Sequence, residues 1–168
     1  MEFKKDLERL ALQERELVLT QLDADTAWEL GTRIRTMALE RGLSIVVDVR
    51  KFGQPLFYVA LDGTSPDNPD WVRRKQNVVA QFHRSSYATR LKLLEKNETL
   101  FGKQGLPLAD YAEHGGSFPL RVAGAGVVGS VTVSGLPGRK DHGMAVEALC
   151  AMLGRDYAEL KLDDEDFE

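Results

Sequence analysis

The sequence predicts an α+β domain, a mainly antiparallel sheet flanked by helices. Three observations carry that prediction. Residues 44–61 and 118–133 each read strand, glycine turn, strand, with β-branched residues dominating both arms. A helical stretch beginning at Asp70 lies between the two hairpins. Further stretches with helical apolar spacing precede the first hairpin and follow the second.

Taken in order, residues 2–16 place Phe3, Leu7, Leu10 and Ala11 on one helical side. Leu17-Val-Leu19 reads as a short extended piece. Asp23 or Asp25 caps a second helix running through Glu40, with Ala27, Leu30, Ile34, Met37 and Ala38 as its buried stripe and Gly42 beyond its end. The first hairpin pairs 44–50 with 55–61 about a turn near Gly53. Asp62 to Pro69 is a loop rich in turn residues. A helix follows from about Asp70 to Tyr87, extending toward Glu95, and 99–116 reads as irregular. The second hairpin leads to a loop over 135–141 and a last helix from His142 to Gly154. The expected organisation is one domain over 1–168, with an N-terminal helix in 1–19 and an acidic tail in 155–168.

Composition narrows the function classes. The net charge is −4, and acidic residues crowd the last six positions, so no basic surplus points to nucleic acid. Cys150 is the only cysteine, which excludes an intrachain disulfide and fits a reducing, cytoplasmic setting. No apolar run is long enough to cross a membrane, and no signal-peptide pattern is present.

Gly124, Gly126 and Gly129 reproduce the G-x-G-x-x-G spacing of dinucleotide-binding loops. That motif needs a helix to start at the glycines, so that free N–H groups meet the pyrophosphate. Here Val127, Val128, Val131, Thr132 and Val133 follow, a run that favours a strand. The glycines are therefore assigned to a hairpin, without nicotinamide or flavin. Gly129, inside the strand, signals close approach by a backbone or a ligand.

The pieces His114-Gly-Gly-Ser-Phe-Pro-Leu120, Val127-Val-Gly-Ser-Val-Thr-Val-Ser-Gly135 and Asp141 resemble the signature of the haem-degrading-domain, GlcG/HbpS-like family. Val47-Asp-Val-Arg50 and Arg73-Arg-Lys75 fall in the order that family shows, and the likeness spans about 20–154. Lys51–Tyr58, Asp70–Val79 and Phe82–Tyr87 are most similar to a subfamily of small cytosolic proteins without an assigned reaction. The resemblance implies a profilin-like α/β/α layered sandwich and a symmetric homo-oligomer built from dimers. It also makes haem a candidate ligand.

Candidate site residues come from the helix after Asp70 and the loop before the second hairpin. On a helical wheel Lys75, Val78 and Phe82 fall within about 40° of Trp71. Lys75 thus sits on the apolar face, where it either snorkels or faces an anion. Arg74, Ser85 and Ser86 flank it, so Lys75, Arg74, Ser85 and Ser86 form an anion-binding candidate set. Asp48, mid-strand, is the expected internal partner should Lys75 pair within the chain. His114 in its loop is the candidate haem ligand, and Gly115-Gly116 the candidate anion nest. His83 and His142 read as ordinary surface or helix-start histidines. No HExxH or HxxxH pair supports a metal site. Glu95 and Glu98 read as a solvated pair, Cys150 as a buried small hydrophobe, and no residue is assigned to catalysis.

The reading that follows is a small-ligand binding protein, for haem or an organic anion. Two others stand beside it: an enzyme that binds and degrades haem, and an oligomeric scaffold that docks a protein partner. Exposed apolar surface on the N-terminal helix and at Trp28 predicts a homo-oligomer.

Overall fold

A computed structural model describes residues 3–164. The expected positions 2 and 165–168 of the first helix and the acidic tail lie outside the described residues. Five strands form one mixed sheet in the order β1-β4-β5-β2-β3. They are β1 (Val18–Leu19), β2 (Val46–Lys51), β3 (Gln54–Ala60), β4 (Ser117–Val122) and β5 (Gly126–Ser134). β1 runs parallel to β4, and every other pairing is antiparallel. The predicted α+β sandwich is present, and both hairpins, β2–β3 and β4–β5, are where the glycine turns put them.

Strand alternation sends the two faces of the sheet to different partners. Ile45, Val47, Val49, Phe118, Leu120, Val131 and Val133 belong to one buried core. Helices α2 (Ala24–Glu40) and α6 (Gly138–Leu153) close it with Ala27, Leu30, Ile34, Ala145 and Leu149. The opposite face is polar. Asp48 is opposite Thr132, which is opposite Ser117, and Arg50 is opposite Ser130. Helix α3 (Asn68–Phe82) lies over that face and buries Val72, Lys75, Val78 and Val79.

Gly129 is required by this sheet. A Cβ there would stand 2.0 Å from the carbonyl oxygen of Arg50. The close approach expected at this glycine is a neighbouring backbone. Gly124 and Gly126 make the β4–β5 turn with positive φ, so no helix follows the G-x-G-x-x-G run.

Besides α7 (Tyr157–Leu160), which lies in the stretch read as tail, three differences from the expected elements bear on the site. The long helix from Asp70 is two helices, α3 and α4 (Ser86–Glu95). His83 adopts the left-handed conformation with φ 53°, and Ser85 accepts a hydrogen bond from Ala88 N as the cap of α4. A serine bonding its own downstream backbone competes with helix continuation. The second correction is α6, which starts at Gly138 rather than His142, because Pro137 presets the turn into the helix. The third is a short helix, α5 (Leu100–Gln104), in the stretch read as irregular, capped by Thr99.

Helix α1 (Lys4–Glu16) is not a spare surface. Leu10 packs with Tyr87, Ala88 and Leu91 of α4, Phe3 and Leu7 lean on that cluster, and Ala11 is exposed. Its buried stripe instead carries Asp6, Leu10 and Gln13. The last short helix, α7 (Tyr157–Leu160), meets α1 through Leu160 O, which accepts from Gln13 Nε2. No helix among the described residues is long and apolar enough to cross a membrane.

Candidate functional site

The face of α3 set by the Trp71–Lys75–Val78–Phe82 spacing brings the candidate residues to two levels. Below, Lys75 is 4% exposed, as its place on the apolar side requires. Its ammonium donates to Asp141 Oδ2 at 3.0 Å and to Val133 O at 3.3 Å. Asp141, in the first turn of α6, also accepts from Leu136 N through Oδ1 at 3.0 Å. Burial pushes the Asp141 carboxyl up to about 6, against the opposing pull of Lys75.

The partner of Lys75 is therefore Asp141 and not Asp48. Asp48 is fully buried but accepts two bonds from Arg50, at 2.8 and 2.7 Å, from the same side of the same strand. An in-strand neighbour two residues away satisfied it before a helix could.

Gly116 completes this level. Its φ is 135°, and its carbonyl accepts from Val133 N at 2.9 Å. Gly115 faces the carbonyl of Gly138, which a Cβ would meet at 2.2 Å. Both glycines are buried and let backbones approach, so they form no open anion nest. Ser85 and Ser86 are likewise occupied. Ser85 caps α4 while its N–H donates to Glu14 Oε1. Ser86 Oγ accepts from Ser117 N at 3.1 Å and donates to Ser117 O. The anion set read from the wheel is thus taken apart by the break at His83, which removes Ser85 and Ser86 from α3.

One turn of α3 before Lys75, the upper level is half-exposed. The Arg74 guanidinium carbon lies 4.7 Å above the Trp71 ring, and Arg74 Nε donates to Leu108 O at 2.9 Å. His114 meets the same indole edge-on, with centroids 5.2 Å apart. A cation, an imidazole and a flat indole face converge there from α3 and the loop before β4. Such a patch can hold a planar anionic molecule: stacking by Trp71, charge from Arg74, and a nitrogen ligand or hydrogen bond from His114.

The other histidines have defined places. His83 is exposed and stacked on Phe52. His142 is 1% exposed inside α6, a burial that sequence spacing left undetected because the start of α6 was set too late. Gln13 Nε2 donates to Leu160 O, so Gln13 Oε1 accepts from His142 Nε2 at 2.8 Å. Burial drives the His142 pKa down to about 3, so this imidazole is neutral at physiological pH. Cys150 is buried as expected, and burial raises its thiol to about 11. Glu98 pairs with Lys103 and not with Glu95, and no cluster of metal-ligating side chains occurs among the described residues. A cavity of about 570 Å³ opens between α1, α6 and α7, but it shares no residue with the Trp71 patch.

Comparison with known proteins places this architecture. Residues 22–150 match the sequence profile of the haem degrading protein HbpS-like family. A UPF0303 protein of Burkholderia thailandensis is 59% identical over 162 residues, covering 96% of this chain and 98% of that protein. One from Acidobacterium capsulatum is 57% identical over the same length. Among solved structures, the Ybr137w protein superposes with a TM-score of 0.81 at 28% identity, covering 88% of each chain. HbpS superposes at 0.64 with 22% identity, over 81% of this chain and 92% of its own. A PduOC–haem complex superposes at 0.67 with 15% identity, over 77% of this chain and 94% of its own. The buried Lys75–Asp141 pair unites separate pieces of the motif set noted in the sequence: the Gly115-Gly116 turn, the end of β5 at Val133-Ser134, and Asp141. With motif, fold and profile in agreement, the chain belongs to the HbpS-like haem-degrading-protein family.

Proposed function

We propose that this protein binds a small planar organic anion, with haem the leading candidate, at the patch of Trp71, Arg74 and His114. The observation that carries the reading is the convergence of imidazole, guanidinium and indole at one half-exposed place. Lys75, Gly115 and Gly116 support it from below by fixing α3 and the His114 loop. Among the described residues the terminal nitrogens of Arg74 make no hydrogen bond to a protein acceptor, so a carboxylate can take them. The residue types suit haem: His114 would supply the iron ligand and Arg74 would hold a propionate. The like-folded PduOC–haem complex adds support from outside the chain.

Haem titration followed by absorbance tests this. A saturable Soret band is expected with the native chain and its loss in His114→Ala. Arg74→Gln should weaken binding several-fold. Unchanged spectra in both variants would remove the site.

A second reading concerns assembly. Trp28 is 64% exposed beside Phe57, and Tyr58 is 48% exposed on β3, an edge strand of the sheet. Edge strands and apolar patches invite a partner. We infer a homo-oligomer built from dimers, with β3 and Trp28 at a subunit contact. Light scattering at micromolar concentration should report a multimer, and Trp28→Glu a smaller species. A native monomer would refute the assignment.

A further inference from the structure

At the far end of α3 the chain builds a second, smaller pocket of about 280 Å³. Its floor follows from helix spacing. Thr89, Lys92 and Leu93 of α4 and its C-cap Lys96 fall at spacings that put them along one stripe. Phe82 and Arg84, at the break between α3 and α4, form one wall, and Leu100 and Lys103 of α5 another. Four cations line it, Arg84, Lys92, Lys96 and Lys103, against one carboxylate, Glu98. Glu98 is engaged by Lys103 at 2.6 Å. No carboxylate of the described residues forms an ion pair with Arg84, Lys92 or Lys96. This concentration of positive charge stands on a chain whose net charge is −4.

Arg84 is held in place rather than waving in solvent. Its Nε donates to Thr89 Oγ1 at 3.1 Å, and the hydroxyl of Thr89, fully buried, donates in turn to Ser85 O. The guanidinium carbon lies 5.1 Å over the Phe82 ring. Those contacts fix the Nε side, and among the described residues the two terminal nitrogens have no protein acceptor. Burial pushes the guanidinium pKa down, with Glu14 opposing from a distance, so this charge is partly stripped of water. Lys92 and Lys96 are one helical turn apart, an arrangement of like charges that repels. A polyanion between them relieves the repulsion and supplies the acceptors that Arg84 lacks.

The geometry points to a binding site for a small, multiply charged oxyanion of the phosphate class at Arg84, Lys92 and Lys96. Arg84 comes from the link before α4, and Lys92 and Lys96 from the last turn and C-cap of that helix; three cations around one pocket suit a tetrahedral group with several charged oxygens better than one flat carboxylate. The volume is just under the usual range of roughly 300–1,000 Å³ for drug-sized ligands, so the occupant is small and is not haem. The site is also separate from the Trp71 patch. Phe82 follows Trp71 by 11 residues, roughly 16 Å of helix rise.

Calorimetric titration of the full chain with inorganic pyrophosphate at low ionic strength tests the assignment. A saturable one-site isotherm is expected. Arg84→Gln should weaken it at least tenfold and Lys96→Gln at least fivefold. Lys96 is exposed, so its variant keeps the fold if Arg84→Gln does not. Lys140→Gln, an exposed lysine elsewhere, should bind as the native chain does. Absence of saturation with the native chain would overturn the proposal. So would equal weakening by Lys140→Gln, which would mark diffuse charge attraction. Citrate binding more tightly than pyrophosphate at the same residues would overturn the phosphate class.

Discussion

Replacing Lys75 by methionine should lower stability by about 3 kcal/mol, because it leaves the carboxylate of Asp141 buried without its cation. Asp141 is 1% exposed, and besides Lys75 its carboxylate is met by backbone N–H groups of Leu136 and Gly135, which carry no full charge. The double variant Lys75→Met/Asp141→Asn should recover part of the loss. Lys75→Met/Asp48→Asn should show no such recovery, since Asp48 is bound by Arg50. Urea unfolding of the four chains decides. A Lys75→Met chain as stable as the native one would release Lys75 from this structural role and make it a ligand contact. The pH dependence carries a second signature. The folded Asp141 pKa of about 6 lies above the ordinary aspartate value of 3.8. Between these values the folded chain binds a proton that the unfolded chain lacks. This contribution to stability is therefore complete below the lower value and lost as pH rises through about 6. Asp141→Asn should abolish that dependence.

The second large effect is at Gly116. Gly116→Ala should cost about 4 kcal/mol, from backbone strain and overpacking together. With φ at 135°, the residue occupies a region that side chains rarely adopt, and its Cβ would stand 2.3 Å from Val133 O. The same atom would stand 2.9 Å from Lys75 Nζ and 3.1 Å from Asp141 Cβ, so the ion pair would be pushed apart. Gly124→Ala provides the control. Its φ is also positive, at 79°, but nothing lies within 4 Å of the added carbon. The difference between the two midpoints isolates the collision. Equal losses would mean that the surroundings of Gly116 give way and the turn is not the rigid floor described here.

The candidate site was partly legible before any fold was known. The wheel put Lys75 on the buried face of α3, and it is buried. Arg74 and His114 were both named, and the structure sets them on one indole. Ser85 and Ser86 were named for a continuous helix that His83 interrupts. A left-handed residue at a helix end leaves little trace in apolar spacing, although a serine cap can be read. Pocket cations such as Lys92 and Lys96 carry no distinguishing pattern in the sequence. Only their position opposite α5 and Arg84 makes them a group.

The sequence by itself determined the α+β class, the two hairpins, the strand reading of Val127 to Val133 and the family. Each rests on local chemistry: β-branched runs, glycine turns, caps, or contiguous motifs. Only the tertiary structure decided that Lys75 meets Asp141 rather than Asp48, that α1 packs on α4, and that His142 is enclosed. Those outcomes depend on which elements meet across the sheet and on the exact turn at which α6 begins. Short-range periodicity can say that a side chain points inward; the partner waiting there is supplied by residues far away in the chain.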